Sequence, residues 1–134
     1  MNPRISILIL GSMALACVVP AQTSGYEQWV GVWESQLAGR PGVIVTLGRD
    51  GGSLEGTIVF NVVSRDGGEA HVIGHDAHVL IRVRLDETML AFQVIRLGDG
   101  KDLHWAMRLT SNDKAQLDCE DCGGPGTTEL VRIK

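Results

Sequence analysis

After its first twenty residues the sequence has no further long apolar run, and nowhere does it carry a cluster of basic residues or a short motif of the common catalytic centres. Lys and Arg number 12 against 16 Asp and Glu, a formal net charge of −4, with the two signs interspersed. Nucleic acid and anionic membrane both call for clustered positive charge, so neither is an expected partner. A Gly-x-Ser-x-Gly elbow, a phosphate-cradling glycine loop and His-Glu-x-x-His are all missing. The Gly-Asp-Gly and Asp-Gly-Gly stretches are turn chemistry. An enzyme is therefore the less favoured reading, no cofactor is called for, and no catalytic residue is assigned.

The one apolar run that is present stands at the start. Met1–Arg4 carries a single positive charge, Ile5–Val19 is almost wholly apolar, and Val19-Pro20-Ala21-Gln22 offers small residues to a leader peptidase. A signal peptide over residues 1–21 is expected, cut after Ala21, leaving residues 22–134 as one secreted or periplasmic domain. The alternative takes Ala14-Leu15-Ala16-Cys17 as a lipobox and anchors the chain through a lipid on Cys17. No transmembrane span is expected in the mature chain.

Turn residues punctuate the rest. Gly39-Arg40-Pro41-Gly42 has the Pro-Gly order of a type II turn, and Asp50-Gly51-Gly52, Asp66-Gly67-Gly68, Gly98-Asp99-Gly100 and Ser111-Asn112-Asp113 tolerate the positive φ that turns require. Between them strands are expected near 30–37, 42–48, 53–63, 78–85, 88–97, 102–110, 114–119 and 127–133. Alternation is clearest where Leu103, Trp105, Met107 and Leu109 interleave with His104, Ala106, Arg108 and Thr110, so that each strand has one apolar face. Short turns between consecutive strands imply an all-β fold, a single antiparallel up-and-down barrel of about eight strands whose closure removes exposed edges. A two-sheet sandwich is the alternative. Ser24–Val30 reads as one helical turn capping the open end.

Gly31-Val32-Trp33, at the head of the first strand, resembles the Gly-x-Trp signature of the calycins, the lipocalin and avidin group. In that group a basic residue from the end of the last strand packs over the tryptophan, and Trp33 and Arg132 occupy the matching positions. The resemblance implies a lipocalin-like barrel closed at one end by a guanidinium over an indole face. The chain is shorter than lipocalins and lacks their long C-terminal helix. Trp33, Phe60, Leu103, Trp105, Met107 and Leu109 are expected to point inward, and in an eight-stranded barrel such bulk fills much of the lumen. Tyr26 and Trp29 are the candidate ligand-binding residues if they line the mouth; in the other reading they form a plug.

His71, His75 and His78 fall within eight residues, in what reads as a long linker between the third and fourth strands. They are weak metal candidates: spaced four and three apart they would share one face of a helix, but Gly74 and the flanking turn residues argue against a helix there and on strands the three do not converge, so solvated loop histidines are the favoured reading. His104 alternates outward. Cys119-Glu120-Asp121-Cys122 is expected to close a local disulfide outside the cytoplasm, since no helix N-terminus stands behind Cys119 to build a redox centre.

Three functions fit this reading. The first is an exported non-catalytic binding module for a small apolar ligand or a protein partner. The second is a secreted protease inhibitor: small secreted eight-stranded barrels with one disulfide resemble the bacterial metalloprotease inhibitors, whose N-terminal segment enters the enzyme cleft, here Gln22–Gln28. The third is a small calycin-type enzyme. Met89, Ala91 and Ile95 lie opposite Leu90, Phe92 and Val94 on a strand that is apolar on both faces, so a monomer or weak dimer is expected.

Overall fold

The computed structural model describes residues 25–86, 88–123 and 126–134; the expected leader over residues 1–21, Cys17 and the start of the segment at Gln22 lie outside them. Nine strands run up and down: β1 (Gly31–Leu37), β2 (Arg40–Asp50), β3 (Ser53–Ser64), β4 (His71–Val79), β5 (Ile81–Asp86), β6 (Met89–Ile95), β7 (Asp102–Leu109), β8 (Lys114–Cys119) and β9 (Thr128–Ile133). All pairings are antiparallel, and there is no helix among the described residues. The order across the sheet is β4-β3-β2-β1-β9-β8-β7-β6-β5, so the first and last strands pair in its middle. Its edges, β4 and β5, are halves of one run interrupted at Leu80. The sheet curls until β5 approaches β3 and β6 approaches β4 without pairing, which makes a half-barrel.

Three local features depart from the sequence reading. Residues 71–77, read as a linker, form most of β4, because the twelve-residue β3 offers a hydrogen-bonding edge that outweighs weak local pattern. The run expected as one strand over 78–85 is split at Leu80, whose N–H donates to the Gly56 carbonyl at 3.0 Å, and Arg82 beyond it takes a φ of 48°. That split, with β4, gives nine strands instead of eight. The first hairpin turns at Ala38 and Gly39, both at positive φ (54° and 75°) as a two-residue type I′ turn requires, so Pro41 and Gly42 belong to β2. Residues 25–29 make a turn closed by Trp29 N–H donating to the Tyr26 carbonyl at 2.9 Å, with no second turn to propagate a helix.

Inward residues of successive strands meet in a filled core. Trp33, Val45, Ile58, Leu90, Phe92, Met107, Leu117 and Leu130 are buried, and Phe60, Trp105 and Leu109 pack partly buried against them. One end of the half-barrel is sealed. Trp29 is fully buried there, its carbonyl accepting from Trp33 Nε1 at 3.0 Å, and Tyr26 packs beside the core. The Arg132 guanidinium carbon lies 4.3 Å from the centroid of the Trp33 ring.

The backbone of β2 leaves no room for a side chain at Gly56 on β3. A Cβ there would sit 2.0 Å from the Thr46 carbonyl oxygen, an overlap that backbone cannot absorb without moving. Gly56→Ala is expected to destabilise the fold by about 2–3 kcal/mol, the upper part of the range for overpacking, read as a lower denaturant midpoint. An unchanged midpoint would show that the two strands are not held at this spacing.

Candidate functional cleft

β1 pairs with β9 only at Val32↔Ile133, Trp33↔Arg132 and Glu34↔Val131. Beyond Glu34 the two strands part. β1 follows β2 as far as Leu37↔Arg40, while Thr128–Leu130 stay with β8, so the facing edges of Ser35–Leu37 and Thr128–Leu130 share no ladder. The cause is a bulge. Between Glu34↔Ile44 and Gln36↔Pro41 a single residue of β1, Ser35, stands opposite two of β2, Gly42 and Val43. The Ser35 hydroxyl replaces the missing ladder acceptor and takes the Val43 N–H at 2.8 Å. Gly42 lets the strands close up: a Cβ on it would lie 3.0 Å from Leu37 Cβ and 3.2 Å from Ser35 Oγ. Bulges bend the strand that carries them, and here the bend carries the tip of the β1–β2 hairpin away from β9.

The parting leaves a cleft of about 600 Å³ at the open end. Leu37, Val43 and Phe60 give it apolar surface; Ser35, Asn61, Thr127 and Thr128 add neutral polar groups. Asn61 Nδ2 donates to the Pro41 carbonyl at 2.9 Å and Thr127 Oγ1 to Asp118 at 2.7 Å, so both side chains are fixed. Glu34 and Glu129 flank the opening, and no Lys or Arg lines it among the described residues. Beside it Phe60 reaches across the lumen from β3 to Trp105 on β7, ring centroids 5.4 Å apart, and meets His78 edge-on at 6.0 Å.

The three candidate metal histidines are spread along β4. His71 and His75 are exposed opposite Ser64 and Asn61, whereas His78 turns inward and its Nε2 meets Asp76 Oδ2 at 2.8 Å. They are strand residues, not loop residues, and no group of three or more His, Cys, Asp or Glu side chains suited to a metal forms among the described residues. Cys119 and Cys122 are joined by a disulfide at the end of β8, their Cα atoms 5.5 Å apart. His104 is exposed, and its Nδ1 and backbone N both contact Asp121 Oδ2, at 2.6 and 2.9 Å.

Sequence reading placed the candidate site at Tyr26 and Trp29 and passed over Ser35 and Gly42. The available signal was Gly42 inside a strand pattern, which marks bulges and close backbone approaches. Comparison with protein families, curated proteins and solved structures found no match to this chain.

Ser35→Ala leaves the Val43 N–H without its acceptor in a site where Ser35 is only 6% exposed. A stability loss of about 1–3 kcal/mol is expected from chemical denaturation, and a loss below about 0.5 kcal/mol would mean that the hydroxyl does not hold the bulge. Hydrogen bonds from the His104 side chain, then from its backbone, pull the Asp121 carboxyl below its ordinary range. Its contribution to stability is present above the unfolded carboxylate's pKa and is lost as pH falls through the folded value. Asp121→Asn is therefore expected to flatten the acid limb of the stability profile below about pH 4. Superimposable limbs for the two proteins would refute that linkage.

Proposed function

We propose that this chain is an exported, non-catalytic binding module of calycin-like build that holds an apolar group of a ligand or protein partner in the cleft between β1 and β9. The observation that carries this reading is the contrast between the two places a curled sheet can bind. The lumen is filled by Trp33, Ile58, Phe92 and Met107, whereas the open end keeps a partly apolar cleft of about 600 Å³, within the usual range for ligand sites. The calycin resemblance is supported by Arg132 over Trp33 at the sealed end. Export is supported by the disulfide, which persists in oxidising compartments, and by the leader pattern at the start of the sequence. Free secretion and a lipid anchor on Cys17 both agree with it.

The inhibitor alternative requires Gln22–Gln28 to enter another protein's cleft. Arg132 Nη2 donates to the Gln28 carbonyl and Arg49 pairs with Glu27, which ties the later part of that segment to the body. The enzyme alternative has two His–Asp pairs to draw on, His78–Asp76 and His104–Asp121, and among the described residues neither pair is hydrogen-bonded to a hydroxyl or thiol. Both therefore rank below the binding module.

The test uses a neutral apolar fluorophore, N-phenyl-1-naphthylamine, titrated into the folded protein. Its emission is expected to rise and shift to the blue, with Leu37→Lys weakening binding about fivefold or more and Leu97→Lys, on an exposed loop, leaving it unchanged. Absence of any emission change, or equal binding by the Leu37→Lys protein, would remove the cleft as a binding site.

A further inference from the structure

We infer that the occupant of this cleft is an extended peptide segment of a partner protein in which basic and apolar residues alternate. The inference rests on the cleft being the binding site and adds what it takes. Its first support is the backbone. Ser35–Leu37 and Thr128–Leu130 are strand residues whose outer neighbours, β2 and β8, occupy one side of each, while the sides that face each other carry no ladder. Strand edges of this kind recruit an added strand through main-chain hydrogen bonds, and the pockets beside them select alternate side chains.

The second support is the chemistry of the two faces. Trp33 and Ser35 are buried, so Glu34 between them points to the convex side; Leu130 is likewise buried, and Glu129 beside it is exposed. A strand lying along either edge would present one set of alternate side chains toward Val43, Phe60 and Thr128, and the other set toward Glu34 and Glu129. The first set meets apolar and hydroxyl surface. The second meets two carboxylates with no Lys or Arg lining the cleft among the described residues. Alternating apolar and cationic residues satisfy both faces at once, and an acidic segment is repelled. Three free residues on each edge, at about 3.4 Å per residue, match a segment of about four to six residues.

The experiment measures fluorescence anisotropy of a fluorescein-labelled, acetylated hexapeptide alternating Lys and Val, with the naphthylamine titration run in parallel. Binding is expected for the parent protein and is expected to weaken about fivefold in the Glu34→Gln, Glu129→Gln double variant. A peptide N-methylated at alternate backbone nitrogens, and one with Glu in place of Lys, are expected not to bind. Naphthylamine binding without peptide binding overturns the peptide inference and leaves the cleft reading intact. Peptide binding that survives both the double variant and N-methylation overturns it as well, because neither the carboxylates nor the strand edges would then be in use. Failure of both probes removes the cleft reading itself.

Discussion

The Arg132 guanidinium joins the last strand to the first and to the turn before it, and the half-barrel depends on that junction. It lies over the Trp33 ring at 4.3 Å, donates to the Val30 carbonyl at 2.6 Å and to the Gln28 carbonyl, and reaches the Asn112 carbonyl at 3.3 Å. Several donors spread over a flat cation suit this position, because stacking on an indole leaves the edge of the guanidinium free for carbonyls. A lysine ammonium is a single point and cannot serve the ring and the separate carbonyls in the same way. Since β1 and β9 lie at the centre of the sheet order, the residues that clamp them hold the two halves of the sheet together, four strands on one side and five on the other.

That clamp acts at one end only. From Trp33↔Arg132 the β1–β9 ladder continues for one more pair and stops, at the point where the bulge of Gly42 and Val43 on β2 shifts the β1–β2 register. The same two strands are thus sealed together at one end of the half-barrel and apart at the other. A packed interior and an open cleft are compatible here because they use different parts of the same pair of strands. The lumen does not have to be emptied to make a site.

Much of this was legible in the residues. The alternation through β7 and the turn residues around β3 follow from side-chain period and chemistry, which are local properties, whereas the placing of Arg132 over Trp33 was expected only from the resemblance that Gly31-Val32-Trp33 carries. β4 was not legible, since His71–Val79 has glycine, aspartate and three histidines and becomes a strand only by pairing along β3. Nor was the cleft. It arises beside a register shift between two strands, visible locally only as Ser35 and Gly42, and neither residue type announces on its own that β9 will part from β1 beyond Glu34. The break at Leu80 has the same character, with Arg82 held at positive φ and its guanidinium on Gln93 at 2.6 Å and Asp102 at 3.4 Å.

Three register shifts interrupt the ladders, at Glu34/Gln36, Val62/Val63 and Ile81/Arg84. The last two fall on the pairings of the edge strands β4 and β5, where a bulge twists an edge and discourages further pairing. β5 adds Arg82, Arg84 and Asp86 on its exposed face, the charged protection expected of an edge. β4 has Val72, Ile73 and Val79 exposed and no Lys, Arg or Pro, so its bulge bears more of that task. The first shift differs from these because it lies between two interior strands, where there is no edge to protect. Its structural consequence is the separation of β1 from β9, which leaves two short free edges inside a sheet whose outer edges are bent or charged.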